Sequence, residues 1–224
     1  MTGSAVRPVR VLLVEDQALL RAGLRMVIDS QPDLLVVGEA DDGLSGVHQA
    51  RASAPDLVVM DVQMPVLNGI EATRRIQALP TPPKVVVLTT FDLDEYAVAA
   101  IRAGASGFLL KDAPPEEILA ALRAVHSGDA VLAPSTTRRL LDQLAPALDP
   151  HAVRLMAALT AREREVLIAM ARGWRNAEIA QRLNVTEGTV KTHVSQILAK
   201  LGAQDRVRAV VLAYEAGVVR PGER

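Results

Sequence analysis

Apolar residues follow two different rhythms along this chain. In the first half, short apolar runs alternate with stretches of helical spacing. Val9 to Val14, rich in valine and leucine, ends at Glu15-Asp16, and Leu19 to Ile28 then repeats apolar residues at helical intervals. Leu34 to Val37 precedes a helix-compatible stretch over Leu44 to Ala52, and Leu57 to Met60 ends at Asp61. Asn68-Gly69 leads into a helical segment over Ile70 to Leu79. Val85 to Leu88 ends at Thr89-Thr90, ahead of a helix over Tyr96 to Arg102 closed by Gly104. Gly107 to Leu110 ends at Lys111, and an amphipathic helix follows over Pro115 to His126, with proline at a tolerated helix start. Five short, nearly continuous apolar strands separated by helices predict an α/β domain: a doubly wound, five-stranded parallel sheet covered on both faces.

From Thr160 onward the rhythm is helical alone. Thr160-Ala161-Arg162-Glu163 is a capping box before a helix that carries Val166, Leu167, Ile168 and Met170 and ends at Gly173. Asn176 reads as the cap of a second helix, running through Ile179 to Leu183. Thr186 caps a third, from Glu187 through Val190, Val194, Ile197 and Leu198 to Leu201, stopped by Gly202. Asp205 caps a fourth, with Val207, Val210, Val211 and Tyr214, ending at Gly217. Only Asn184 and Val185 separate the second helix from the cap of the third. Two short helices joined so tightly make a helix-turn-helix, whose second member enters the DNA major groove. Between the halves, Ser127-Gly128-Asp129 stops a helix, Arg138 to Leu144 reads as a short helix, and Pro146 and Pro150 mark a semi-rigid tether. The pattern divides the chain into an α/β domain over 1–127, a linker over 128–156, and an all-α, four-helix domain over 157–224.

Composition adds bounds. Half of the 224 residues are hydrophobic and 23% are charged, which supports packed cores and excludes disorder as the main state. The absence of cysteine removes disulfides, thiolate zinc sites and cysteine nucleophiles. No apolar run approaches the roughly 18–20 residues of a membrane span, and Met1 to Arg10 lacks the apolar stretch of a signal peptide. A cytoplasmic protein with no membrane partner is expected. Charge is uneven: 11 Lys/Arg face 16 Asp/Glu up to His126, and 14 face 10 from Ser127 onward. An acidic half joined to a basic half points to an anionic partner for the second domain.

Parallel sheets of this kind place their sites beyond the C-terminal ends of the strands. The residues there are Glu15, Asp16, Asp61, Thr89 and Lys111. Carboxylates gathered in one pocket repel one another and hold a hard cation; Mg²⁺ fits, since it favours oxygen ligands and keeps several waters. With a metal present, one carboxylate can attack a phosphoryl group, while the metal and a lysine offset charge on the phosphoryl oxygens. Capping of the following helices explains any one of these residues, but not all five at successive strand ends. A dinucleotide site is excluded, because Glu15-Asp16-Gln17-Ala18 stands where glycines would have to cradle a pyrophosphate.

These motifs resemble the receiver domain of bacterial two-component response regulators, a flavodoxin-like fold, over about residues 8–127. The matches are Glu15-Asp16, Asp61 with Met64-Pro65 and Asn68-Gly69, Thr89, and Phe108-Leu109-Leu110-Lys111. The resemblance implies Asp61 as phosphoacceptor, with Glu15, Asp16, Asp61 and the Gln63 main-chain carbonyl as Mg²⁺ ligands. It implies Lys111 as partner of the phosphoryl group, Thr89 as switch hydroxyl, and Phe108 at the position of a rotating aromatic. Gln63 and Phe91 fall at positions that govern water access in receivers, and bulky Phe91 is expected to slow hydrolysis of a phosphoaspartate.

The second half is similar to the LuxR-type (NarL/FixJ) DNA-binding domain over 157–221. The matching segments are Leu159 to Leu167, Asn176 to Ala180, Thr189 to Val194, and Ile197 to Leu201. Thr189, Lys191, Thr192, His193, Ser195 and Lys200 are the candidate DNA contacts; Arg182 and Lys200 read either as phosphate contacts or as plain solvated charges, and the resemblance implies base contacts at Lys191, Thr192 and Ser195. It also implies dimerisation on DNA through the last helix, at Val207, Val210, Val211 and Tyr214. Trp174-Arg175, Gly188 and Ala203-Gln204 depart from the family pattern, and Trp174, the only tryptophan, reads as a packing residue.

The expected protein is a response regulator without enzymatic turnover beyond its own phosphotransfer and dephosphorylation. A sensor histidine kinase phosphorylates Asp61, and the protein then binds double-stranded DNA as a homodimer to regulate transcription, with RNA polymerase as a further partner. The main alternative is a phosphorylation-independent DNA-binding regulator whose receiver is a dimerisation module. A phosphatase is disfavoured by Gln63, where a second aspartate would be needed, and an adaptor without a DNA role by the complete helix-turn-helix.

Overall fold

A computed structural model describes residues 7–89, 94–128 and 149–219. Phe91 and the expected short helix over Arg138 to Leu144 lie outside these residues. The chain divides into two compact units, 1–127 and 128–224.

The first unit alternates strand and helix throughout: β1 (Val9–Val14), α1 (Ala18–Asp29), β2 (Leu34–Ala40), α2 (Gly43–Ser53), β3 (Leu57–Asp61), α3 (Gly69–Gln77), β4 (Lys84–Thr89), α4 (Asp94–Arg102), β5 (Gly107–Leu110) and α5 (Pro115–Ser127). The strands are all parallel, in the order β2-β1-β3-β4-β5. This is the doubly wound sheet that the apolar runs predict. Val11 to Leu13, Leu57, Val58, Met60 and Val85 to Val87 are fully buried, because helices cover both faces of the central strands.

Helix bounds move by at most two residues from the sequence reading, but β2 is longer, reaching Ala40 instead of Val37. Its apolar run stops at Gly38-Glu39, yet Gly38, Glu39 and Ala40 continue pairing with Leu12, Leu13 and Val14. Edge position explains this: the Glu39 carboxylate turns outward and pairs with Arg21 and Arg25 of α1, so polarity there does not end the strand.

The second unit contains α6 (Pro150–Met156), α7 (Ala161–Ala171), α8 (Asn176–Leu183), α9 (Glu187–Leu201) and α10 (Arg206–Glu215). The tether reading fails from Pro150 onward. Asp149 caps α6 through the His151 N–H at 2.8 Å, proline sits at the tolerated first position, and Ala152 and Met156 enter the core of this unit. Thr160 and Glu163 form the expected reciprocal capping box. Asn176 does not cap α8. Arg175 is the N-cap residue, and the buried Asn176 side chain accepts a hydrogen bond from Arg206 Nη1 at 2.9 Å. Arg206, itself buried, also donates to the Trp174 carbonyl, so α10 is stapled to the turn before α8. Asn184 takes a left-handed φ of 51° in the turn before Thr186 caps α9. Among the described residues no helix is long and apolar enough to cross a membrane.

Candidate functional site

The strand order reverses between β1 and β3, and the crevice at that reversal opens at the C-terminal ends of the strands. Backbone bonds fix the groups there: Glu15 N–H donates to Ala40 O at 3.0 Å, and Lys111 N–H to Thr89 O at 2.8 Å. Glu15 and Asp61 are buried and Asp16 is exposed. One carboxylate oxygen from each lies within 4.8 Å of the others. The Lys111 ammonium is inserted among them, 2.8 Å from Asp61 Oδ2 and 2.8 Å from Glu15 Oε2.

Burial pushes the Glu15 carboxyl above its ordinary range; Lys111 opposes this and the Asp61 charge reinforces it. Burial also works against charge on Lys111, but its bonds to Asp61 and Glu15 outweigh that and hold the ammonium above its ordinary value. Three hard oxygen anions against one buried cation leave an excess of negative charge, and this donor set fits a divalent cation such as Mg²⁺.

The loop after Asp61 is tightly built. Leu67 N–H bonds to Pro65 O at 2.7 Å, which places Val66 at a φ of 64°, a strained conformation for a β-branched residue. Gly69 then begins α3 under the Asp61 carbonyl, and a Cβ there would fall 1.7 Å from that oxygen. A cavity of about 470 Å³ opens beside the carboxylates, lined by Asp16, Gln63, Met64, Asn68 and Tyr96 among others. Gln63 Nε2 donates to the Tyr96 hydroxyl at 3.2 Å across its edge. Thr89 and Phe108 are buried, at the end of β4 and within β5.

In the second unit, Val190, Val194, Ile197 and Leu201 turn one face of α9 into the core. Thr189, Lys191, Thr192 and Ser195 stand on its exposed side. Lys191 pairs with Glu187 at 3.1 Å, and the Thr192 hydroxyl bonds back to Gly188 O at 3.0 Å, leaving its methyl outward.

Comparison with known proteins accords with both halves. The response regulator receiver domain matches residues 11–123, and the bacterial regulatory proteins of the luxR family match residues 157–213. YxjL, an uncharacterized transcriptional regulatory protein of Bacillus subtilis, is 47% identical over 213 residues, covering 95% of this chain and 98% of that protein. The nitrate/nitrite response regulator NarL of Escherichia coli K12 is 38% identical over 208 residues, covering 93% and 96%. The crystal structure of ChrA, a response regulator of a heme-sensing two-component system, matches with a TM-score of 0.52 at 37% identity, covering 96% of this chain and all of that one. The chain belongs to the response regulators. It carries a receiver domain and a LuxR-type DNA-binding domain.

Several residues of this response regulator stand differently from expectation. Lys200, a candidate DNA contact, is exposed and paired with a glutamate of its own domain: its ammonium donates to Glu163 Oε1 at 2.8 Å and Oε2 at 2.6 Å. His193 is half-buried, with Nδ1 buried and without a hydrogen-bond partner among the described residues. Val207, Val210, Val211 and Tyr214 are all buried. Val210 and Tyr214 belong to the core of the unit, and the Tyr214 hydroxyl bonds to Ala171 O at 3.3 Å. Those two side chains serve internal packing, not an open dimer surface.

The Lys200 hydrogen bond, followed by the Thr160 N–H, holds the Glu163 carboxyl below its ordinary value of 4.5. A carboxyl whose pKa is lower folded than unfolded stabilises the fold above the unfolded value and loses that contribution as pH falls. Lys200→Gln is therefore expected to melt below the wild type at neutral pH. The gap narrows as pH drops through and below 4.5; a gap constant across that window would contradict the assignment.

Proposed function

We propose that Asp61 accepts a phosphoryl group from a phosphohistidine of a sensor kinase, and that this modification controls DNA binding by the second domain. The observation that supports it most is the meeting of Asp61 with Lys111 at 2.8 Å and with two further carboxylates at a single strand edge. An Asp61 oxygen attacks phosphorus, the bond from phosphorus to the histidine nitrogen breaks, and an acyl phosphate forms on Asp61. Glu15, Asp16, Asp61 and the Gln63 carbonyl would hold Mg²⁺, which when bound supplies positive charge to the phosphoryl oxygens. Lys111, already 2.8 Å from Asp61 Oδ2, supplies the second positive charge from the protein itself. Thr89, at the end of the neighbouring strand β4, offers a hydroxyl to the new phosphate, and buried Phe108 relays the change by packing.

The exposed side of α9, with Thr189, Lys191, Thr192 and Ser195, reads base edges in the major groove, and a homodimer addresses paired half-sites. Transcriptional output then passes to RNA polymerase in the cytoplasm.

Incubation with a small phosphodonor tests the first step. Acid-labile phosphate should appear on the wild type with Mg²⁺ and vanish with EDTA or in Asp61→Asn. Incorporation in Asp61→Asn equal to the wild type would overturn the assignment.

A further inference from the structure

We infer that Arg172, Arg175 and Arg182, gathered around Trp174, form a clamp for the DNA phosphate backbone outside the groove read by α9. This rests on the DNA-binding reading above and deepens it. Trp174 lies in the connection between α7 and α8, half-buried, with part of its ring packed on the core. The Arg182 guanidinium carbon stands 3.9 Å from the ring centroid and that of Arg172 stands 5.7 Å away. Arg175 is next to Trp174 in the chain, and all three arginines are exposed.

Four other cations of this unit are paired with carboxylates. Lys191 pairs with Glu187, Lys200 with Glu163, Arg162 with Glu165 and Arg208 with Glu215. None of the three arginines around Trp174 has a carboxylate at ion-pair distance among the described residues. An aromatic face attracts a guanidinium without neutralising it. Stacking also occupies the flat face and leaves the N–H edge free for a bidentate oxyanion. The cluster is therefore a held, uncompensated positive charge.

Helix stability does not account for it. Arg175 occupies the N-cap of α8, where a side-chain acceptor is favoured, and it makes no side-chain capping bond. Its backbone N–H is served instead by Glu178 at 2.7 Å.

The location selects the anion. The cluster flanks α8, the first helix of the helix-turn-helix. In that arrangement the first helix crosses the DNA backbone while the second enters the groove. Phosphate contacts of this kind set register and orientation without reading sequence.

Duplex binding of the full chain, with Mg²⁺ and a small phosphodonor present, tests the clamp. The probe is a short random-sequence duplex titrated over a range of salt concentrations. Each phosphate contact contributes about 0.9 to the slope of log affinity against log salt. Arg182→Gln is expected to flatten the slope by about 0.9 and to weaken binding several-fold at low salt, with an unchanged thermal melt. Arg172→Gln behaves likewise, and Arg182→Lys, which keeps the charge, retains most of the slope. Wild-type slope and affinity in both glutamine variants would overturn the clamp and leave the arginines as a cover for Trp174. A wild type with no salt-dependent duplex binding would overturn the DNA-binding reading together with the clamp.

Discussion

Gly69→Ala is expected to cost the receiver domain about 3 kcal/mol, the upper part of the usual range for overpacking, and to slow phosphate incorporation at Asp61. The added Cβ would lie 1.7 Å from the Asp61 carbonyl oxygen and 2.8 Å from its carbon. Both are backbone atoms, so no side-chain rotation relieves the clash. Either α3 backs away or the end of β3 moves, and the second choice displaces Asp61 from Lys111. Gly69 N–H also bonds to Val62 O at 2.9 Å, so the close approach is part of the loop's own hydrogen bonding. Gly23, with nothing within 4 Å of its added Cβ, is the control. Gly23→Ala in the middle of α1 should leave incorporation intact and raise stability by about 0.4–1 kcal/mol. Urea denaturation and phosphodonor labelling of the two variants decide the matter. A Gly69→Ala protein with the wild-type midpoint and labelling rate would contradict the packing account.

Lys111→Met should destabilise the receiver by about 3 kcal/mol in the absence of divalent metal, in the range for breaking a buried ion pair from one side. The Lys111 side chain is only 7% exposed and lies against the buried carboxylates of Glu15 and Asp61. Removing it leaves those carboxylates to repel each other with no cation between them. Asp61→Asn has the opposite sign in the same condition, because it removes one of three like charges and keeps the lysine. Added Mg²⁺ should therefore recover more stability in Lys111→Met than in Asp61→Asn. Thermal melts with Mg²⁺ and with EDTA measure both differences. Equal destabilisation by the two substitutions, with and without metal, would show that the cluster is not held by charge balance.

Much of this site is legible along the chain because each of its residues ends a strand. An apolar run that stops at Glu15-Asp16, Asp61, Thr89 or Lys111 marks both the strand and the edge where it finishes. Parallel pairing then brings those ends together without any further instruction. What escapes the sequence is polar pairing over distance. Lys200 looks like a free cation along α9, and only the fold brings Glu163 of α7 to it. Asn176 has the chemistry of an N-cap, but the arrival of Arg206 from α10 draws its side chain inward. The stack of Arg182 on Trp174 spans the whole of α8, beyond the spacing of ordinary helix neighbours. Gly69 stands in a legible motif, yet its reason, the Asp61 carbonyl pressed against its α-carbon, is visible only in three dimensions. Burial of Val210 and Tyr214 is legible from their helical spacing, and the resemblance to a dimerising helix pulled the reading the other way.

The phosphorylation state of Asp61 is expected to set the affinity of the second domain for DNA. Duplex affinity and oligomeric state of the wild type and Asp61→Asn, each with and without Mg²⁺ and a small phosphodonor, test it most directly. The wild type alone should dimerise and gain affinity when donor and metal are both present. Equal binding by the two proteins, indifferent to donor, would contradict it and make the receiver a passive dimerisation module.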